Sequence, residues 1–178
     1  NLPAFVVIQD PRGGPFTGAS QWSAGFLPAA YQGTMFRALG DPILDLHPPA
    51  GYMTLEQQKA ELDQLTRMNQ NYVESHPGIS ELNARITSYE LAFRMQVSAT
   101  DAMDLSRESA ASHARYGTKL GAESFANNCL LARRLAERGV RYIQLYHWGW
   151  DSHGTGEQTS LRHGFADLCR EVDRPIAA

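Results

Sequence analysis

The chain has 178 residues, of which 43% are hydrophobic, and its 16 Lys and Arg against 19 Asp and Glu give a formal net charge of −3. This composition excludes global disorder, and the lack of a basic excess excludes nucleic acid as an expected partner. No apolar run reaches the roughly 20 residues of a membrane-spanning helix, while the length allows one sizeable core.

The N-terminal part predicts one strand and then a long irregular segment. Residues Phe5–Ile8 are a β-branched and aromatic run, and Asp10–Pro15 is rich in turn residues, so a buried strand followed by a turn is expected. Residues 13–49 show no clean period but carry an aromatic residue every few positions. We expect this segment to be an ordered loop packed against something else.

Two helices are predicted to form a hairpin between residues 54 and 97. Thr54-Leu55-Glu56-Gln57 is a capping box, and apolar residues at helical spacing continue to about Glu74. His76-Pro77-Gly78 ends this helix, and Ser80 is expected to cap the second one. Shorter helical pieces are predicted over residues 100–105 and 109–116.

The C-terminal part, residues 123–178, predicts a helix, a strand, a loop and a helix. Glu123–Arg138 has one apolar side and arginines that favour its C-terminal end, and Gly139 is expected to end it. Val140–Tyr146 alternates like a strand, and the last helix is predicted from about Glu157. Helix, glycine and strand form the second half of a βαβ unit, which places the chain in the α/β class.

The two cysteines give no sign of a disulfide framework or a zinc site. Cys129 and Cys169 lie far apart in apolar helical patterns, and neither belongs to a Cys-x-x-Cys pair. We expect both to be buried free thiols.

The loop after the strand at Val140–Tyr146 is the main candidate for a functional site. Asp151 and His153 stand two residues apart in a glycine-flanked loop, a spacing that lets a carboxylate and an imidazole converge on a divalent cation. His147 is a candidate third ligand, a hydrogen-bond donor to substrate, or a residue that supports the ligands. The alternative is a polar loop whose histidines cap backbone groups.

Several blocks of the sequence form a recognisable set: Gly149-Trp150-Asp151-Ser152-His153, and residues 23–34, 40–44, 88–96 and 129–135. These blocks resemble a known bacterial family, the sulfatase-like domain of unknown function fifteen-oh-one, which is placed in the alkaline phosphatase superfamily. The first block matches the family's Gly-Trp-Asp-x-His signature. The resemblance extends over essentially the whole chain.

The resemblance implies an alkaline-phosphatase-like α/β/α core with a mostly parallel sheet, in which residues 54–97 are a helical hairpin insertion. It also implies a site with two divalent metals, which could be Zn, Ca, Mg or Mn, that hydrolyses phosphate or sulfate esters of small molecules or glycans. Asp151 and His153 match a metal-binding pair of the family, and His147 and Trp150 would line the site.

The family's nucleophile and its other metal-binding segments have no counterpart in this chain. Together with an N-terminus that lacks Met or a signal peptide and a C-terminus inside an amphipathic pattern, this predicts an internal fragment of a larger hydrolase domain. Such a fragment is expected to be inactive alone, to hold an incomplete metal site and to self-associate. Export of the parent protein would fit the family, although no targeting segment is visible.

A second function class uses the aromatic residues instead of a metal. The segment Trp22–Phe36 is rich in aromatic residues, and Trp148 and Trp150 flank Gly149. Aromatic faces stack on sugars, so a catalytically silent module that binds a glycan or another partner is the alternative prediction.

Overall fold

The computed structural model describes residues 2–37, 43, 46–77 and 80–178, apart from the side chains at positions 80, 97 and 158. Within these residues the fold is α/β, with three strands and five α-helices. Strands β1 (Phe5–Ile8), β2 (Thr34–Phe36) and β3 (Tyr142–Leu145) form an open parallel sheet in the order β2-β1-β3. The predicted α/β class with a parallel sheet is confirmed.

Strand β1 is the centre of the sheet because its side chains are apolar on both faces. Val6, Val7 and Ile8 are completely buried, as expected for a parallel strand covered on both sides. Val6 is in register with Thr34 of β2 and with Ile143 of β3.

Strand β2 was not predicted, because it lies inside the segment of residues 13–49 that was expected to be irregular. Three residues are too few to show an alternating pattern, and Phe36 is buried while Met35 is exposed. The other described residues of this segment include single 3₁₀ turns at Gly18–Trp22 and Ala29–Tyr31.

The first two helices are α1 (Leu55–Ser75) and α2 (Ser80–Met103), which contact each other. The predicted capping box is confirmed: Thr54 Oγ1 accepts from the Gln57 amide at 3.2 Å, and Gln57 Oε1 accepts from the Thr54 amide at 2.9 Å. None of the residues of α1, all of which are described, is buried. The predicted roles of Gly78 and of the Ser80 side chain lie outside the described residues.

Helix α2 extends further than predicted. The prediction of a separate helical piece over residues 100–105 is wrong. Met95, Ala99 and Ala102 are buried on one face of α2, so the same helix continues along the core to Met103. A 3₁₀ turn at Leu105–Arg107 follows, and then α3 (Ala110–Tyr116), which confirms the helical piece predicted over residues 109–116 and is capped by Ser109.

Helix α4 (Phe125–Glu137) supplies much of the core. It begins where Ser124 Oγ accepts from the Asn127 amide at 3.1 Å, and Gly139 beyond its end has the left-handed φ of 89° that was predicted. Its residues Leu130, Leu131 and Leu135 are completely buried. They pack in one cluster with residues of β1, β2 and α2, which include Val6, Ile8, Phe36, Met95 and Ala99.

A buried arginine joins α4 to the end of α2 and to the segment that follows it. The Arg134 side chain, only 4% exposed, contacts Glu108 Oε1 at 2.5 Å. It also donates to the carbonyl oxygens of Ala102 at 2.8 Å and Asp101 at 3.1 Å, in the last turn of α2, where helix carbonyls lack their regular partners four residues on. Arg134 therefore stabilises the end of α2 from a buried position, besides lying in the last turn of its own helix.

The last helix, α5 (Gly164–Ala177), starts later than predicted. Residues 157–159 form only a 3₁₀ turn, and Leu161, which falls inside the predicted helix, is 80% exposed. The buried face of α5 is instead formed by Gly164, Leu168, Val172 and Pro175, and α5 contacts α3 and α4. Among the described residues, no helix is long and apolar enough to cross a membrane.

Candidate functional site

The candidate site lies where β1 and β3 end, side by side. Because the two strands are adjacent and parallel, the residues that follow them meet at one edge of the sheet. Asp10 follows β1, and His147 and Trp148 follow β3. The Asp10 carboxylate accepts from the Trp148 amide at 2.8 Å, which joins the two segments directly.

Asp10 is the buried anion of this edge, with a side-chain exposure of 0%. Its Oδ1 accepts from Arg12 Nε at 2.9 Å and its Oδ2 from Arg12 Nη2 at 2.9 Å, a two-point pairing that fixes the guanidinium. Burial by itself would raise the pKa of Asp10, but the hydrogen bonds from Arg12 and Trp148 outweigh it and hold this pKa below its ordinary value. Asp10 is therefore an ionised anchor for the turn that follows β1.

His147 is a buried imidazole, 6% exposed, with both ring nitrogens engaged. Its Nδ1 accepts from Trp150 Nε1 at 2.9 Å, and since an indole nitrogen only donates, Nδ1 carries no proton. The ring proton is then on Nε2, which donates to Glu171 Oε2 at 2.9 Å. Arg12 Nη2 lies 3.2 Å from the same Nε2, and because both groups are donors in this tautomer, that contact is not a hydrogen bond. Arg12 Nη2 also donates to Glu171 Oε2, at 3.1 Å.

Asp151 and His153, the predicted metal pair, lie on the exposed loop beyond this network. Their side chains are 90% and 76% exposed, and Asp151 Oδ1 is 3.3 Å from His153 Nε2. Ser152, between them, anchors the loop through a hydrogen bond from its hydroxyl to the Thr159 carbonyl. The structure brings the two side chains into contact with each other, and their joint binding of a cation stays a prediction.

The donor set of this pair fits a divalent cation in its chemistry. A carboxylate oxygen and an imidazole nitrogen suit Zn²⁺ or Mn²⁺. Within the described residues, neither group pairs with a lysine or an arginine. No third His, Cys, Asp or Glu completes a metal-binding group among the described residues. His147 does not extend the pair, because both of its nitrogens are already hydrogen-bonded.

The family model of a protein of unknown function, DUF1501, matches residues 1–178. The chain belongs to the DUF1501 family. This confirms the family likeness expected from the sequence blocks. Neither a curated protein nor a solved structure shows a significant match to the chain.

In this DUF1501 chain, the predicted site residues divide into two groups. Asp151 and His153 are exposed and contact each other, whereas His147 and Trp150 hold the start of their loop through the 2.9 Å hydrogen bond. The Trp150 ring also contacts Phe165 of α5 edge-on, with ring centres 6.1 Å apart. His147 and Trp150 therefore set the position of the loop.

Three residues of the DUF1501 site were missed by the sequence reasoning. Asp10 and Arg12 were assigned only to a turn, and Glu171 fell inside the predicted last helix without a role. Asp10 could have been predicted from its position, two residues after the end of the buried strand β1. The same kind of position led to the choice of the loop after β3 as a candidate site. Glu171 offered no such signal, since its contact with His147 depends on how α5 packs.

The cysteines of the DUF1501 chain do not contribute to this site. Both are free and half-buried, so the predicted full burial is only partly met. Burial raises the pKa of Cys129 to about 11, and this residue lies inside α4. Cys129 is therefore a thiol at neutral pH, without the thiolate character that nucleophilic chemistry needs.

Proposed function

We propose that this chain is part of a metal-dependent hydrolase of phosphate or sulfate esters and contributes Asp151 and His153 as one pair of metal ligands. The observation that supports this most is the placement of the pair: two side chains of suitable chemistry, 3.3 Å apart, on an accessible loop beyond the carboxyl end of β3. Sites of α/β proteins are concentrated at this edge of the sheet. The substrate would be a small-molecule or glycan ester.

The residues around the pair would limit the motion of its loop. The Asp10 carboxylate fixes Trp148 from one side, and the His147 ring holds Trp150 from the other. A divalent metal, when bound, polarises an ester oxygen and stabilises the leaving oxygen. The chain's own contribution is to present two ligands from a loop that is anchored at its start.

The proposal is tested in the protein by replacing Asp151 and His153 together with Ala. We expect bound divalent metal, measured by elemental analysis, and turnover of aryl phosphate or sulfate esters to be lost. A matched double variant replaces Asp173 and His163, another exposed Asp and His outside the loop, and should retain both. Unchanged metal content in the first double variant would contradict the assignment.

Residues 1–178 alone are expected to bind metal weakly and to turn over esters poorly. Two protein ligands leave most of the coordination shell of a cation to water. Calorimetry that finds one tightly bound zinc ion on this chain would contradict this expectation.

The alternative function, a glycan- or partner-binding module, is supported by exposed aromatic rings. Phe26 is 98% exposed and Tyr31 is 63% exposed, whereas Trp22 and Phe36 of the same segment are buried and cannot stack on a ligand. Glycan binding that survives both chelation and Asp151→Asn would favour this function. Loss of that binding in Tyr31→Ala would assign it to this segment.

Self-association of the chain is also proposed, because α1 exposes large apolar side chains. Leu55, Leu65, Met68 and Tyr72 are each about half exposed or more. Light scattering across a concentration series tests this directly, and a mass that stays that of one chain would contradict it.

A further inference from the structure

The hydrogen bond between Trp150 and His147 requires a neutral imidazole ring. The Trp150 indole can only donate, and it donates to Nδ1 of His147 at 2.9 Å. An imidazolium ring carries a proton on both nitrogens, so its Nδ1 would present an N–H group to the indole N–H. Two donors that face each other form no hydrogen bond. The observed position of Trp150 is therefore compatible with only one protonation state of His147.

The other side of the imidazole ring keeps its partner in both protonation states. Nε2 of His147 donates to Glu171 Oε2 at 2.9 Å. A positive charge on the ring strengthens this contact, because the acceptor is a carboxylate. Protonation of Nδ1 thus leaves the ring attached to α5 and removes its hydrogen bond to the loop after β3.

The charged groups that face His147 within the described residues act in opposite directions. Glu171 of α5 attracts a positive charge on the ring, whereas the Arg12 guanidinium, with Nη2 3.2 Å from Nε2, repels it. Asp10 pairs with the same guanidinium and offsets part of its charge. Helix α4 contributes only the uncharged ring of Phe125, which contacts the imidazole edge-on with ring centres 4.8 Å apart. An imidazolium in the folded chain would therefore have an anionic partner in Glu171.

The loop is anchored separately on each side of Trp150. On one side the Trp148 amide donates to the Asp10 carboxylate, and on the other the Ser152 hydroxyl donates to the Thr159 carbonyl. Between these two anchors, Trp150 is 45% exposed, so its departure from His147 would not empty a packed core. The middle of the loop can therefore move while both of its ends stay in place.

We propose that His147 is a pH-sensitive switch: uptake of a proton at Nδ1 releases the Trp150 indole and frees the backbone that presents Asp151. The edge-on contact of Trp150 with Phe165, with ring centres 6.1 Å apart, includes no hydrogen bond that would hold the indole in place. The switch operates between about pH 8 and about pH 5, where an imidazole gains its charge. It requires no metal and does not depend on the proposed hydrolase function.

The test is an NMR titration of the chain from about pH 8 to about pH 5 that follows the indole N–H groups and the ring nitrogens of His147. The Trp150 N–H should be protected from solvent exchange at the alkaline end. This protection should be lost with the same midpoint at which Nδ1 of His147 gains its proton. Trp22, which is buried and contacts Tyr146, is the internal control, and its unchanged signal shows that the chain stays folded.

His147→Gln is the matched variant. Its side-chain oxygen can accept from Trp150 and its nitrogen can donate to Glu171, as the neutral imidazole does, but an amide takes up no proton in this range. We expect the Trp150 N–H to stay protected throughout the titration of this variant. Glu171→Gln removes the anion that attracts the imidazolium, so it should move the transition to lower pH. Since His147→Gln keeps every other histidine, including His153, a pH dependence that persists in it has another source.

Three results would overturn the proposal: a protonated His147 with the Trp150 N–H still protected, a His147 ring that stays neutral over the whole range, or the same loss of protection in His147→Gln. Limited proteolysis gives a second readout. Cleavage within residues 149–154 should be severalfold faster at the acid end in the wild-type chain than in His147→Gln, and equal at the alkaline end. Equal cleavage at both ends would show that the loop is not released.

Discussion

Trp150 donates its indole N–H to Nδ1 of His147 at 2.9 Å, so a residue next to the metal-ligand candidates is tied to a buried ring. Nε2 of the same imidazole ring donates to Glu171 Oε2 of α5 at 2.9 Å. The loop after β3 is thus linked to a helix that starts more than ten residues later. Each step of this chain of contacts depends on the one before, because the indole fixes which imidazole nitrogen carries the proton.

Replacing Trp150 with Phe tests this arrangement. The wild-type His147 ring should show the Nε2–H tautomer in nitrogen NMR spectra, and Trp150→Phe should remove the preference for it, because Nδ1 loses its donor. The free energy of unfolding should fall by about 1 kcal/mol, the typical value of one hydrogen bond. Trp148→Phe is the control, and a tautomer that is unchanged in Trp150→Phe would contradict the contact.

Glu108 should make the free energy of unfolding depend on pH in the acid range. Burial opposes its ionisation, but hydrogen bonds from Arg133 and Arg134 lower its pKa to about 2 from an ordinary value of 4.5. Because the folded pKa is the lower one, the stabilisation is complete above about pH 4.5 and is lost as the pH falls towards 2. Glu108→Gln should therefore lower the free energy of unfolding by an amount on the order of 3 kcal/mol at pH 7, and by much less at pH 3.

Denaturant unfolding at the two pH values measures this difference. Glu137→Gln is the matched control, since Glu137 pairs with the same Arg133 at 3.3 Å but is more than half exposed. It should cost less than about 1 kcal/mol, as exposed ion pairs do. A cost of Glu108→Gln that is the same at pH 3 and pH 7 would show that the buried carboxylate is not responsible.

Asp10→Asn should destabilise the edge where β1 and β3 end. The amide cannot accept both contacts from Arg12 and the Trp148 amide as the carboxylate does, so we expect a loss of about 2 kcal/mol in the free energy of unfolding. Asp167→Asn changes an exposed partner of Arg170 and should cost less than about 1 kcal/mol. Equal costs in urea unfolding would mean that the burial of Asp10 has no energetic consequence.

Gly149 should tolerate a side chain less well than Gly154 in the same loop. Both have a positive φ, 96° and 69°, but a Cβ at Gly149 would lie 3.2 Å from Leu168 Cδ2, whereas nothing lies within 4 Å of one at Gly154. Gly154→Ala should cost about 1 kcal/mol from backbone strain alone. Gly149→Ala should cost more, and thermal unfolding of the two variants that gives the reverse order would contradict the packing.

The sequence was informative where the determinants are local. The capping box at Thr54 and Gln57 needs only four residues, and the buried run Phe5–Ile8 carries its own β pattern. Both predictions are confirmed. The pairing of Asp151 with His153 is local in the same sense, because it follows from a spacing of two in a tight loop.

Sequence reasoning failed where structure depends on distant packing. Strand β2 exists because Phe36 enters the core beside β1, and its own three residues carry no pattern. The apolar positions of α1 predict a helix correctly, but they do not predict that Leu65 and Met68 stay exposed. Asp10, Arg12 and Glu171 meet only because the turn after β1 packs against α5. The spacing of residues within either segment does not predict this contact.

The parallel pairing of β1 with β3 also has a consequence for how the chain folds. The central strand β1 is synthesised before its neighbour β3, and helices α1 to α4 lie between the two strands in the described part of the chain. Such long-range pairing carries a large loop-closure cost and slows folding compared with local contacts. The α1–α2 pair can form early, whereas Val6, Val7 and Ile8 must wait for β3 and α4, which leaves an apolar strand exposed during synthesis and in need of protection from aggregation.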